Sequence, residues 1–394
     1  MLIQSYRIDR QSKTRMNSST FNPNWAVAPG PMIEEYRDAA NLTQQELADR
    51  LGYSLKHVNQ VIGGHQALTP EMALRLESVL GLPAHVWLSI EAKYREHLAR
   101  VEQERQIDAE LPWLKEIPYR ELVKLGYVAA ADRRSAVRVL QSFFGVSSLD
   151  MLPTLRTPYL AQFRKSDSFA SNPYALLAWL TQGERLANGQ STGPFDARQL
   201  RASLPALRSL SQLPDTDFVE PLVEQLASLG VILVFVPAPK GAPVSGATRW
   251  LRPDRALVQL SLRHKSDDHL WFTLFHELGH ILLHGKRERF IDFAPSSGDG
   301  DSGVGEPSAE YLAHRDKERQ ADNFAAETLV PAAALNAFLS AGDFSATAIT
   351  DFATASGISP GIVVGRLQHM GLVPYASALN KLKRRYRFVP TPAK

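Results

Sequence analysis

Two histidines and a glutamate stand inside an otherwise apolar run, Trp271-Phe272-Thr273-Leu274-Phe275-His276-Glu277-Leu278-Gly279-His280-Ile281-Leu282-Leu283. A run this apolar reads as a buried helix, and buried imidazoles and carboxylates are costly unless each finds a partner. On an α-helix residues i and i+4 stack on one face, so His276 and His280 can reach a single ion. A metal held by two imidazoles and one acid keeps a coordination position open for water. Glu277, beside the first histidine, is placed to take that water's proton. Gly279 costs about 1 kcal/mol of helix propensity relative to alanine, a cost that makes sense if a close neighbour needs the space.

A third ligand should be an acid on a following helix, and Glu318 to Glu327 reads as one. Within it Glu318 and Asp322 share a face. Glu318 suits the metal, while Asp322 can accept the free ring N–H of a ligand histidine and fix its tautomer. The expected cofactor is zinc: HExxH is the zinc-peptidase signature, and a downstream Glu-x-x-x-Asp is the arrangement of thermolysin-like zincins. His284, one turn beyond His280, and His314 are rival ligands. Tyr311 and His314 are both candidates for stabilising an oxyanion. The structural alternative is that the histidines cap a core helix and the acids are solvated.

Residues from about 230 to 331 resemble the ImmA/IrrE family of metallopeptidases, through the strand-like Val231-Ile232-Leu233-Val234-Phe235-Val236, the segment Phe275 to His284, and Glu318 to Ala326. The resemblance implies that His276, His280 and Glu318 bind zinc and that Glu277 is the general base. Asp322 stands where many members have Asn, which leaves the ligand set intact. Such members cleave a partner repressor or otherwise regulate transcription, so the resemblance implies regulation rather than digestion.

A second signature spans Leu42 to Gly64. Thr43 and Glu46 form a capping box, Leu47, Ala48 and Leu51 a buried stripe, and Gly52 a left-handed stop. Ser54 caps a second helix whose buried side is Leu55, Val58, Val61 and Ile62. That leaves Lys56, His57, Asn59 and Gln60 facing outward as candidate DNA contacts, with Ser54 and Gln44 at the two helix starts. Asn and Gln suit adenine edges, and Lys suits guanine or phosphate. Residues 29–94 resemble the HigA-type antitoxins of the Xre superfamily, through this helix-turn-helix, Leu68 to Leu76, Gly81-Leu82-Pro83 and Val86 to Tyr94. The resemblance implies a double-stranded DNA operator, and a homodimer through this module is expected. Against it, residues 29–100 carry seven basic and nine acidic residues, although phosphate neutralisation normally dominates affinity. A helical module that binds only protein is the alternative.

The 394 residues suffice for two or three domains, and the net charge of +3 gives no global basic field. There is no cysteine, which removes disulfides, thiol nucleophiles and Cys-based zinc sites. No apolar run reaches about eighteen residues and the start is polar, so no membrane partner is expected and the protein should be soluble and cytoplasmic. The fold class expected is mainly α with a small β-sheet (α+β). The reading divides the chain into a flexible arm (1–24), the helix-turn-helix domain (25–91), a charged helical connector (92–112), a helical middle region (113–225), the peptidase domain (226–335) and a helical tail with a basic end (336–394).

Residues 256–262 alternate and are the candidate edge strand for substrate, with 231–236 as a second strand. Residues 292–310 read as a loop over the cleft. Phe163 to Ser166, with Trp179, Glu184 and Arg185, could bind an acidic group or be structural. Residues 346–356 and 359–369 read as a helical pair, and Lys381 to Arg387 as a solvated basic tail or a phosphate-tracking arm. Function is expected to be a DNA-binding regulator with a zinc endopeptidase that cleaves a specific repressor or antitoxin-like protein in a stress, phage or mobile-element response. The alternative is a non-proteolytic antitoxin or repressor whose peptidase fold senses a ligand or binds a partner.

Overall fold

The computed structural model describes residues 2–3, 27–155, 172–286, 288–293 and 309–389. The chain divides into two compact units: Asp9–Leu111, and Pro112–Lys394 together with Met1–Ile8. It is mainly helical, with one small mixed sheet.

The first unit is all helix: α1 (Pro29–Ala39), α2 (Gln44–Leu51), α3 (Leu55–Ile62), α4 (Pro70–Leu80) and the long α5 (Ala84–Glu110). Local chemistry sets its boundaries. Glu46 N–H donates to Thr43 Oγ1 (3.2 Å) while Thr43 N–H donates to Glu46 Oε2 (2.8 Å), the reciprocal capping box. Gly52 stops α2 at φ 69°, and Ser54 Oγ accepts from His57 N–H at the start of α3. Ile33, Leu47, Leu51, Val58, Val61, Met72, Leu76 and Trp87 form its core. The stretch read as a connector from residue 92 is the continuation of α5.

In the second unit, α6 (Trp113–Glu116), α7 (Tyr119–Lys124), α8 (Arg133–Phe144), α9 (Pro173–Ala187), α10 (Ala197–Ser209) and α11 (Val219–Ser228) lead into the sheet. The strands are β2 (Val231–Phe235), β3 (Val244–Arg252), β4 (Arg255–Leu260) and β5 (Arg289–Phe293), in the order β2-β4-β3-β5. β2 and β4 are parallel; β3 is antiparallel to both β4 and β5. Between β4 and β5 runs α12 (Asp267–Leu283), and α13 (Ala309–Leu329), α14 (Ala332–Ala341), α15 (Ala346–Ser356) and α16 (Pro360–His369) follow. Ala256, Val258 and Leu260 of β4 join Trp271, Leu274, Phe275 and Leu278 of α12 in one core. On the other sheet face, Gln259 Nε2 donates to Trp179 O of α9 (2.7 Å), and Arg249 reaches Leu180 O (2.6 Å).

Two expectations change. β4, read as the substrate edge, lies inside the sheet between β2 and β3; the edge beside α12 is β5. β3 and β5 have no clean alternation, so the edge depends on pairing the local pattern does not reveal. The basic end is no solvated tail. Lys383 Nζ donates to Asp268 Oδ2 (2.6 Å), Arg384 N–H donates to Asp267 Oδ1 (3.2 Å), and buried Tyr386 packs on Phe218. β6 (Arg387–Phe388) pairs in parallel with β1 (Leu2–Ile3). Of the two readings open for Trp179 and Arg185, the structural one fits: Trp179 Nε1 donates to Val236 O (2.9 Å), and Arg185 to Ser142 O and Phe143 O. Phe163 to Ser166, most of the arm 1–24 and most of the loop 292–310 lie outside the described residues.

Candidate metal centre and DNA-reading helix

α12 and α13 pack closely because Gly279 faces α13. A Cβ there would stand 3.0 Å from Phe324 Cδ1 and 3.3 Å from Ala321 Cα. That approach brings Glu318 onto the two histidines. His276 Nε2 lies 2.9 Å from His280 Nε2 and 3.2 Å from Glu318 Oε2, and His280 Nε2 lies 3.5 Å from the same oxygen. Tetrahedral ligands about 2.0–2.1 Å from a zinc stand roughly 3.3 Å apart, so the triangle fits that ion. Among the described residues this is the group of acids and imidazoles that could hold a metal. His276 Nδ1 is 2.9 Å from Asp322 Oδ1, which leaves Nε2 to face the centre.

His284 Nε2 is instead 3.2 Å from the Lys317 carbonyl oxygen. His314 Nε2 stands 3.5 Å from Glu318 Oε1, at the flank of the site. The side chain of Tyr311 lies outside the described residues.

Glu277 has no exposure at all. Thr248 of β3 donates its hydroxyl to Oε2 (2.5 Å), and Oε1 has no hydrogen-bond partner among the described residues. Gly246 makes the room: a Cβ there would be 2.3 Å from Oε1. Burial pushes the Glu277 carboxyl up to about 8, against the pull of His276. Burial likewise takes His280 down to about 4. For His276 burial acts downward, but hydrogen bonds to Asp322 and Glu318 override it and raise the ring well above its ordinary value. Glu318 goes the other way: bonds to both rings outweigh burial and hold it well below the usual carboxylate range.

Four groups at this centre were not legible beforehand: Thr248, Gly246, Phe290 and Asp292. Phe290 stacks on His280 with centroids 3.9 Å apart. Only the sheet register, Thr248 opposite Phe290 and Gly246 opposite Asp292, gathers them.

In the first unit Lys56, Asn59 and Gln60 are exposed on α3 and line an open groove with Leu55 and His65. His65 was not among the expected contacts. His57 is half-buried and stacked on Tyr53 (4.7 Å), a ring that also carries the Arg75 guanidinium, so His57 faces outward only in part. Gln44 is half-buried, and Ser54 is exposed and occupied as a cap.

The fold and site define a class: a helix-turn-helix unit joined to a metallopeptidase-like unit. Residues 33–87 match the helix-turn-helix family model and residues 241–368 the IrrE N-terminal-like domain. An uncharacterized HTH-type transcriptional regulator, YddM, of Escherichia coli (strain K12) is 33% identical over 63 residues, 16% of this chain and 67% of that protein. Virulence-associated protein I of Dichelobacter nodosus is 32% identical over 82 residues, 21% of this chain and 74% of its own. Two solved structures are similar over a comparable share. One is a plasmid maintenance system antidote protein of Nostoc punctiforme (25% identity, TM-score 0.21, 21% of this chain and 91% of that one). The other is a HigA-family addiction module antidote protein of Coxiella burnetii (24%, 0.20, 22% and 94%). The chain belongs to the helix-turn-helix family in its first unit, and its second unit carries a domain that matches the IrrE N-terminal-like model. Among the described residues no single helix is long and apolar enough to cross a membrane.

Proposed function

We propose that this chain is a DNA-binding transcriptional regulator whose second unit is a zinc endopeptidase that cuts one partner protein, a repressor or antitoxin-like regulator, in a stress, phage or mobile-element response. One observation carries the enzymatic half. A buried carboxylate with a free oxygen, Glu277, adjoins three converging ligand atoms, on His276, His280 and Glu318. Zinc held there would supply a Lewis acid that polarises a peptide carbonyl and acidifies a water. Glu277 Oε1 takes the water's proton and returns it to the leaving amine, while Thr248 holds the other oxygen in place. Asp322 holds the His276 ring with Nε2 toward the ion. β5 pairs only with β3 among the described residues, so its outer edge can receive the substrate backbone as an added strand. His314 flanks the site and is the candidate for stabilising an oxyanion.

α3 reads the operator. Lys56, Asn59 and Gln60 enter the major groove, with Ser54, His57 and Gln44 near the backbone. Symmetric half-sites would match a homodimer through this unit, and operator binding places the working protein in the cytoplasm.

The test is Glu277→Gln. An amide keeps the shape and cannot accept the proton, so cleavage should fall by a factor of roughly 100 to 10,000 while zinc and DNA binding persist. A partner uncut by the variant should be recovered with it from cells. If Glu277→Gln complements a deletion as well as wild type under the inducing condition, the protease reading fails and a sensor or antitoxin role replaces it.

A further inference from the structure

Asp292 stands on the edge strand at a register position that faces Glu277. It pairs with Gly246 across the β3–β5 ladder. Opposed residues of an antiparallel pair present their Cβ atoms to the same sheet face, about 4.5–5.5 Å apart. The Gly246 Cβ position is the one that Glu277 Oε1 fills, so Asp292 points beside that oxygen. Two residues earlier on the same face, Phe290 lies against the His280 ring. The ladder slips between Val244 and Gly246, bulging Ser245, which hydrogen-bonds the Asp292 carboxylate. Bulges of this kind re-aim side chains beside active sites.

The site is rich in acid. The charged groups acting most strongly on Asp292 are His276, Glu318 and Asp322, and none is a lysine or arginine. Ligand imidazoles bind metal as neutral rings. Glu318 and Asp322 already balance a dication, and Asp292 is a further acidic side chain on the strand beside them. Asp292 has no part in the metal triangle or in the proton transfer. Because it sits on the strand that would align a substrate, it meets the residues bordering the scissile bond.

We propose that Asp292 is a specificity residue that selects substrates carrying a positive charge next to the scissile bond, a lysine or arginine side chain or a free α-amino group. This rests on the peptidase reading above.

The test uses the zinc-loaded full-length chain and four small chelating probes, measured by titration calorimetry: the hydroxamates of Nα-acetyl-lysine, Nα-acetyl-glutamate, Nα-acetyl-alanine and alanine. The hydroxamate anchors each probe, and the remainder samples Asp292. The lysine probe should bind roughly tenfold more tightly than the glutamate probe, the scale of a charge-assisted hydrogen bond. Alanine hydroxamate against its acetylated form shows whether an α-amino group is the cation read. Asp292→Asn should erase the preference with zinc content unchanged, and Asp292→Lys should invert it. Equal ranking in wild type and Asp292→Asn overturns the proposal and leaves the peptidase reading standing. If none of the probes binds zinc-replete protein, the peptidase reading falls and this one with it.

Discussion

Glu318 Oε2 meets two imidazole nitrogens that stand 2.9 Å from each other. Two Nε2 atoms that close satisfy each other poorly unless an ion or a proton lies between them, and His280 Nδ1 is buried with no partner among the described residues. The purified chain should therefore hold about one zinc. Replacing both His276 and His280 with alanine should empty the site, while His284→Ala should leave it largely filled, because that ring is committed to the Lys317 carbonyl. Metal analysis of the three proteins decides it; full occupancy in the double variant would sink the ligand assignment. The i, i+4 spacing made these residues readable at once, since a helix fixes which side chains share a face. Thr248, Phe290 and Asp292 were not readable, since their place beside Glu277 exists only through the pairing of β3 with β5, strands far apart in the chain.

At the scale of elements, the helices were legible and the sheet only partly. The capping box at Thr43 and Glu46 and the glycine stop at Gly52 are local chemistry. β3 hides itself because Gly246, Arg249 and Thr248 break the alternation: one makes room for a carboxylate, one is buried on α9, and one bonds Glu277. The basic terminal run was misread for a related reason, because its cations serve the start of α12. Asp267, the first residue of that helix, accepts from Ser359 Oγ (2.5 Å) and Arg384 N–H, with Lys383 on its neighbour Asp268.

Burial raises the Asp267 carboxyl from 3.8 to about 6 despite the Ser359 bond, with Asp268 adding to the rise. A raised folded value favours the protonated form. Its stabilisation is therefore present below about pH 4 and lost as pH climbs through 6. Asp267→Asn should flatten the fall in melting temperature between those limits; an unchanged pH profile would show that other groups set it. On α3, alanine at Asn59 and Gln60 should abolish operator selectivity, at about 1–3 kcal/mol per bidentate contact. A gel shift retaining the full preference over random DNA would refute the assignment. Neither side chain is in the unit's core, so the variant should melt as wild type does.

For the whole molecule, the two units have separate cores: one built on Leu47, Val58, Leu76 and Trp87, the other on the sheet, α12, α13 and the terminal clasp. The metal triangle lies wholly in the second, spanning α12 and α13, the helix pair that Gly279 lets approach. An ion that binds only the folded site stabilises the unit containing it by RT ln(1 + [L]/Kd), about 2.7 kcal/mol at a hundredfold excess over Kd. It contributes nothing to a unit with its own core. Calorimetry of the full chain should then show two transitions, and a strong chelator should lower one alone. The transition that moves should be the one that responds to His276→Ala and ignores changes in the first unit's core, such as Leu76→Ala. That substitution should in turn lower the other transition, since deleting a buried leucine costs about 2–5 kcal/mol. A single transition shifted equally by chelator and by Leu76→Ala would mean that the units unfold as one, and that occupancy of the metal site bears on the stability of the DNA-reading helix as well.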